Sequence, residues 1–146
     1  MTSQNVCSRK PRKWNLPLTY APKIEAVKAG TCTQTIRTGR KFKEGDLIRF
    51  YTWSGKPYRS KRETITEYMS LVNVFEIDIQ EEGIVSYNFD LYPDAIYEWG
   101  TSDASRLAEL NGIVPPTGEA LRDVLISKNG KIPPEGIEAQ IIRWKA

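Results

Sequence analysis

At 146 residues, with 40% apolar, 27% charged and 10% aromatic side chains, the chain has the make-up of one folded domain, not of a disordered or collagen-like polymer. Zero histidines exclude Ser/His/Asp and Cys/His triads, histidine metal clusters and imidazole proton shuttles. The net charge of +3 conceals an asymmetry: residues 1–62 carry 15 Lys/Arg against three acids, and the remainder 6 against 15.

A half-chain so basic calls for an anionic partner, and a phosphate backbone is the commonest one. Two cysteines, Cys7 and Cys32, are too few for a four-thiolate metal site. The expectation is a reducing, cytoplasmic setting, with no metal and no cofactor. No run of ~18 apolar residues suggests a membrane span, and the basic N-terminus lacks the apolar core of a secretory leader.

In chain order, residues 1–13 read as a flexible basic arm and residues 14–146 as one domain. Leu16 to Thr19 is a short apolar strand. Pro22 opens a helix, Ile24 and Val27 lie one turn apart on its apolar side, and Gly30 stops it. Thr31 to Arg37 is rich in β-branched residues and extended, Gly39 and Lys43-Glu44-Gly45-Asp46 are turns, and Leu47 to Trp53 is an alternating strand with Phe50 inward. Ser54 to Arg62 is a polar loop. Glu63 to Gln80 is β-rich and turns through Glu81-Glu82-Gly83 into Ile84 to Asn88, followed by a Tyr/Asp/Pro loop through Pro93.

Thr101 or Ser102 caps a helix over Ala104 to Leu110, and Thr117 opens another that ends at Asn129-Gly130. Ile137 to Trp144 is a closing strand. Strands too closely spaced for βαβ units give an α+β domain, a mixed or antiparallel barrel with short helices at its ends. Aromatic residues interleave with the cations of the basic half: Trp14, Tyr20, Phe42, Phe50, Tyr51, Trp53 and Tyr58. Rings that stack bases beside cations that hold phosphates are the equipment of a single-strand or flipped-base binder.

The helix, then Gly30-Thr31-Cys32-Thr33-Gln34-Thr35-Ile36-Arg37, then Lys43-Glu44-Gly45-Asp46-Leu47-Ile48 resembles the ASCH domain, a family with a PUA-like β-barrel. Its signature runs Gly-x-Lys-Thr-x-Thr-x-Arg and then a Gly-Asp turn into an apolar strand; Gly30, Thr33, Thr35, Arg37, Gly45 and Asp46 agree with it. The resemblance implies a cleft that holds RNA, single-stranded nucleic acid or a modified nucleoside. Thr33, Thr35 and Arg37 share one side of a strand by period two, offering two hydroxyls and a forked cation to a base edge and a phosphate. Arg40, Lys41 and Lys43 extend the positive rim, and Tyr51 and Trp53 serve for stacking.

Some ASCH proteins are amidohydrolases that remove the acetyl group from acetylated cytidine with a Lys, a Thr and a Glu. The Thr corresponds to Thr35, but Cys32 occupies the Lys position, and the Glu falls on Asn111 or Glu109. A Cys32 thiolate would need Lys28 or Arg37 beside it, and Asn111 could orient a substrate without exchanging a proton. The expectation is therefore binding without catalysis. The alternatives are an acylcytidine hydrolase or nuclease-like variant using Thr35 with Glu109 or an unrecognised Lys, and a protein-interaction module presenting the acidic half to a basic protein partner.

Overall fold

The computed structural model describes residues 10–56, 58–86 and 96–145. Most of the expected arm, the end of the strand after Gly83 and the Tyr/Asp/Pro loop lie outside them. The elements are β1 (Lys13–Pro17), α1 (Ala21–Ala29), β2 (Gln34–Thr38), β3 (Leu47–Trp53), β4 (Arg62–Thr64), β5 (Met69–Ile79), β6 (Gly83–Ser86), β7 (Ile96–Glu98), α2 (Ser102–Leu110), α3 (Gly118–Asn129) and β8 (Ile137–Trp144).

Several elements begin where local hydrogen bonding dictates rather than where β-propensity does. β1 starts at Lys13, ahead of the expected Leu16, because it lies parallel to β3 with Lys13 opposite Leu47. Its approach is tied down as well: Arg12 N donates to Asp46 Oδ1 at 3.1 Å, and Leu47 N donates to the Arg12 carbonyl at 2.8 Å. Thr31 and Cys32 are not yet in a strand, since their amides donate to the Ala26 carbonyl at 3.0 and 3.2 Å and finish the helix end. Thr101 and Thr117 cap α2 and α3 by accepting from the Ala104 and Ala120 amides.

The fold is α+β, with eight strands in one mixed sheet and three helices among the described residues. Among the described strands only the β1–β3 pairing is parallel. The described strands do not close into the expected barrel. Along the path β1-β3-β5-β8-β2, β1 pairs with β3 alone and β2 with β8 alone. The seam between these two edges is crossed by a side chain instead of a ladder, Arg37 Nη2 donating to the Pro17 carbonyl at 2.8 Å.

β8 lies between β5 and β2, and each of its faces enters a different core. Ala139 and Ile141 pack with Phe75, Ile77, Leu107 and Leu121 on the side of α2 and α3. Ile142 and Trp144 pack with Leu16, Val27, Phe42 and Phe50 on the side of β1, β3 and α1. Burying an aliphatic side chain of this kind stabilises by about 1.5–3 kcal/mol, so β8 holds the two cores together. No helix among the described residues is long and apolar enough to cross a membrane.

Candidate nucleic-acid interface

The seam between β1 and β2, together with the ends of α1 and α3, gathers the cations. In α1, Pro22 sits in the first turn and Gly30 closes the helix with φ 79°, a left-handed value that favours glycine. The face turned inward is Lys23 and Val27, four residues apart, while the expected Ile24 is only half-buried. Lys23 is 5% exposed, and its ammonium has no hydrogen bond or ion pair among the described residues. Burial pushes its pKa down from 10.5 to about 7; the nearby Cys32 thiol opposes this, and the charges of Arg37 and Lys128 reinforce it.

Close approach of the α2 end makes this burial possible. Gly112 follows α2 with φ +72°, and a Cβ there would lie 3.3 Å from Cys32 Sγ and 3.5 Å from Lys23 Cα. Asn111, 1% exposed, donates through Nδ2 to the Leu107 carbonyl at 2.9 Å and leaves Oδ1 without a partner. Lys23, Thr35 and Asn111 line an inner chamber of about 20 Å³, walled by Tyr20, Ile113 and Leu121. A chamber of this size holds about one water.

Beyond Ile36 the recess widens to an outer chamber of about 180 Å³ lined by Arg37, Thr38, Leu125, Lys128 and Asn129. Arg37, half-buried, lies 5.8 Å from the Phe50 ring centroid, and its Nε has no partner. Burial and the charge of Arg40 lower its pKa to about 10, against a smaller raising effect of Tyr51. Burial and Arg37 lower the pKa of Lys128 too. Lys23, Arg37 and Lys128 thus lie within electrostatic reach of one another, and neither chamber is lined by a carboxylate.

Rings and cations also cluster near the two ends of β3. Tyr51 and Trp53 project from the same face of β3, their rings 5.5 Å apart edge to face, and Tyr58 lies 5.0 Å from Trp53. The β3–β4 register sets Arg62 opposite Trp53, and its guanidinium covers Tyr51 at 4.4 Å and Trp53 at 5.3 Å. At the other end Trp14 is flanked by Arg12 at 5.9 Å and Arg40 at 5.6 Å, and its Nε1 donates to Asp46 Oδ2 at 3.0 Å. None of Arg12, Arg37, Arg40 and Arg62 forms an ion pair among the described residues.

The residues expected at the site are divided by this geometry. Thr35 and Arg37 line adjoining chambers, but Thr33 lines neither, its carbonyl accepting from Trp144 N at 3.0 Å. Arg40 and Lys41 border a separate recess of about 280 Å³ with Glu138 and Gln140, and Lys43 is exposed, its amide donating to Asp46 Oδ2 at 3.1 Å. Cys32 is a buried free cysteine whose Sγ is directed at the Gln34 and Leu110 carbonyls at 3.4 and 3.6 Å. Lys28, expected beside it, is exposed and 3.9 Å from Glu25. Glu109 is exposed and paired with Arg106, outside the recess.

Lys23 and Lys128 do not stand out as ligands in the sequence. Lys23 did leave a signal in its four-residue spacing to Val27; Lys128 left none, since a lysine in a last helical turn is explained by the helix dipole alone. No group of three or more His, Cys, Asp or Glu side chains suited to a metal exists among the described residues. No protein-family model matches the chain, no curated protein matches it in sequence, and no solved structure matches it in fold.

Proposed function

We propose that the protein binds RNA, another single-stranded nucleic acid or a modified nucleoside, without catalysis, along the strip from Trp14 and Arg40 through Arg37 and Tyr51 to Arg62, Trp53 and Tyr58. The observation that carries this reading is that these arginines are unpaired with carboxylates yet interleaved with rings. Cations in that state are available to phosphates, and every base has a face that stacks. In this reading Thr35 and Asn111 meet a base edge, and Arg37 meets a base or phosphate. The likeness to the ASCH family belongs to the same proposal, with the unclosed sheet as a variant of the PUA-like barrel and a reducing compartment such as the cytoplasm as its setting.

Fluorescence anisotropy of labelled single-stranded RNA and DNA, at several salt concentrations, tests it. Arg37→Ala with Arg40→Ala should weaken binding and flatten the log–log salt dependence by about 0.7 for each phosphate no longer neutralised. Unchanged affinity and slope would overturn the proposal.

Lys23 favours a second reading. An amine that is about half neutral near pH 7, in one chamber with the Thr35 hydroxyl, is equipped to take a proton from that hydroxyl or from water during hydrolysis of an acylated cytidine. Asn111 would then orient the substrate. Release of cytidine and the free acid from N-acetylcytidine, abolished by Thr35→Ala and by Lys23→Met, would replace the first reading with this one.

A further inference from the structure

We infer that the outer chamber between β2 and the last turn of α3 binds a phosphate monoester, the phosphorylated end of a nucleic-acid strand or of a mononucleotide, with Arg37 and Lys128 as its direct partners and Lys23 as the charge behind it. This rests on the nucleic-acid reading and narrows it to a particular group.

Charge favours such an occupant. Three cationic side chains approach one another here, and burial makes Lys23 and Arg37 costly to keep charged, so a structure that lines both chambers without a carboxylate is suited to an anion from outside. Asp123 lines a neighbouring recess with Thr19, Ser127 and Lys128, and neither of the two chambers. A phosphate monoester carries between one and two negative charges near neutral pH, whereas a carboxylate or an internal phosphodiester carries one. The monoester is the better match to three cations.

Shape favours it as well. Behind the outer chamber the recess narrows from about 180 Å³ to about 20 Å³. The two chambers share Ile36, Leu125 and Lys128, and the inner one is too small for a nucleotide, so a group that reaches towards Lys23 must be small. The guanidinium of Arg37 is held by its bond to the Pro17 carbonyl, with its other N–H groups unused by any described residue. The remaining polar groups of the wall are already paired: Thr38 Oγ1 donates to Asn129 Oδ1 at 3.1 Å, and Asn129 Nδ2 to the Leu125 carbonyl at 3.1 Å. Recognition therefore falls to the cations.

The test uses short single-stranded RNA and DNA bearing a 5′-phosphate, a 3′-phosphate or hydroxyls at both ends, with the fluorophore on the opposite end. One phosphorylated end should bind at least tenfold tighter than the hydroxyl strand, and Lys128→Gln should remove that preference while leaving hydroxyl-strand binding in place. Equal binding of all three strands by the wild type overturns the inference and leaves the nucleic-acid reading standing. Failure of every strand to bind overturns that reading instead, and thermal-shift measurements with a nucleoside monophosphate and with inorganic phosphate then decide the chamber. A rise in Tm with the monophosphate that is absent in Lys128→Gln supports a mononucleotide as the source of the monoester; no rise, or the same rise with inorganic phosphate, overturns the inference.

Discussion

Lys23→Met takes the ammonium out from beneath β2 while keeping an unbranched side chain of similar length. With a folded-state pKa of about 7 against 10.5 for the free side chain, there is a pH window in which the unfolded chain holds a proton that the native protein does not. Folding releases that proton, so stability is lowest where native Lys23 must be charged and rises with pH between those two values. The full span amounts to about 5 kcal/mol, at about 1.4 kcal/mol per pH unit. Because Lys23 is already half discharged near the start of the window, the rise from pH 7 to pH 9 is about 2 kcal/mol. Urea unfolding followed by tryptophan fluorescence at pH 6, 7, 8 and 9 measures it. Wild type should gain stability along the series, whereas Lys23→Met should lack this component and exceed wild type at pH 6. Lys128 is present in both proteins, so only its coupling to Lys23 enters the difference. Parallel curves for the two proteins would refute the placement of an uncompensated amine in the inner chamber.

Gly112→Ala should lose about 1–2 kcal/mol from its left-handed backbone, and more as the new Cβ crowds Cys32 Sγ; a lowered urea midpoint with unchanged slope is the expected result. In a Cys7→Ser protein, Cys32, 1% exposed, should resist a thiol-reactive dye in the native state and react only on unfolding, as absorbance kinetics with and without urea will reveal. Asp46→Ala should cost about 3 kcal/mol or more, since the carboxylate is 1% exposed and accepts from the Arg12 and Lys43 amides and from Trp14 Nε1; differential scanning calorimetry will register the drop. Trp53→Ala should weaken single-strand binding by about 1–3 kcal/mol, measured by anisotropy titration.

The alternating strands and capped helices could be read directly from residue order because their signals are local. Leu47 to Trp53 and Ile137 to Trp144 occupy the strands expected, and Thr101, Thr117 and Gly30 act where capping chemistry places them. The site was legible only in part. Period two put Thr35 and Arg37 on the same side of β2, and the structure brings both to the recess. Thr33 lies before β2, where that alternation no longer governs the side chain, and lines neither chamber. Lys23 escaped because a lysine beside a proline at a helix start is ordinarily solvated, and its burial follows from the approach of Gly112, distant in sequence. The open seam was likewise illegible, because it depends on the Arg37 hydrogen bond to Pro17 taking the place of a ladder between two strands that turn signals cannot rank as neighbours.

β2, which carries Thr35 and Arg37, has β8 as its sole strand neighbour, and β8 lies about a hundred residues further along the chain. At a synthesis rate of about 5–20 residues per second, the nascent chain spends on the order of 5–20 s with β2 translated and its neighbour not yet made. During that interval β2 has no ladder among the described strands to hold it. On the proposed reading, ligand capture has to await the synthesis of β8, and a fragment that stops before residue 137 should neither retain the ligand nor compete for it.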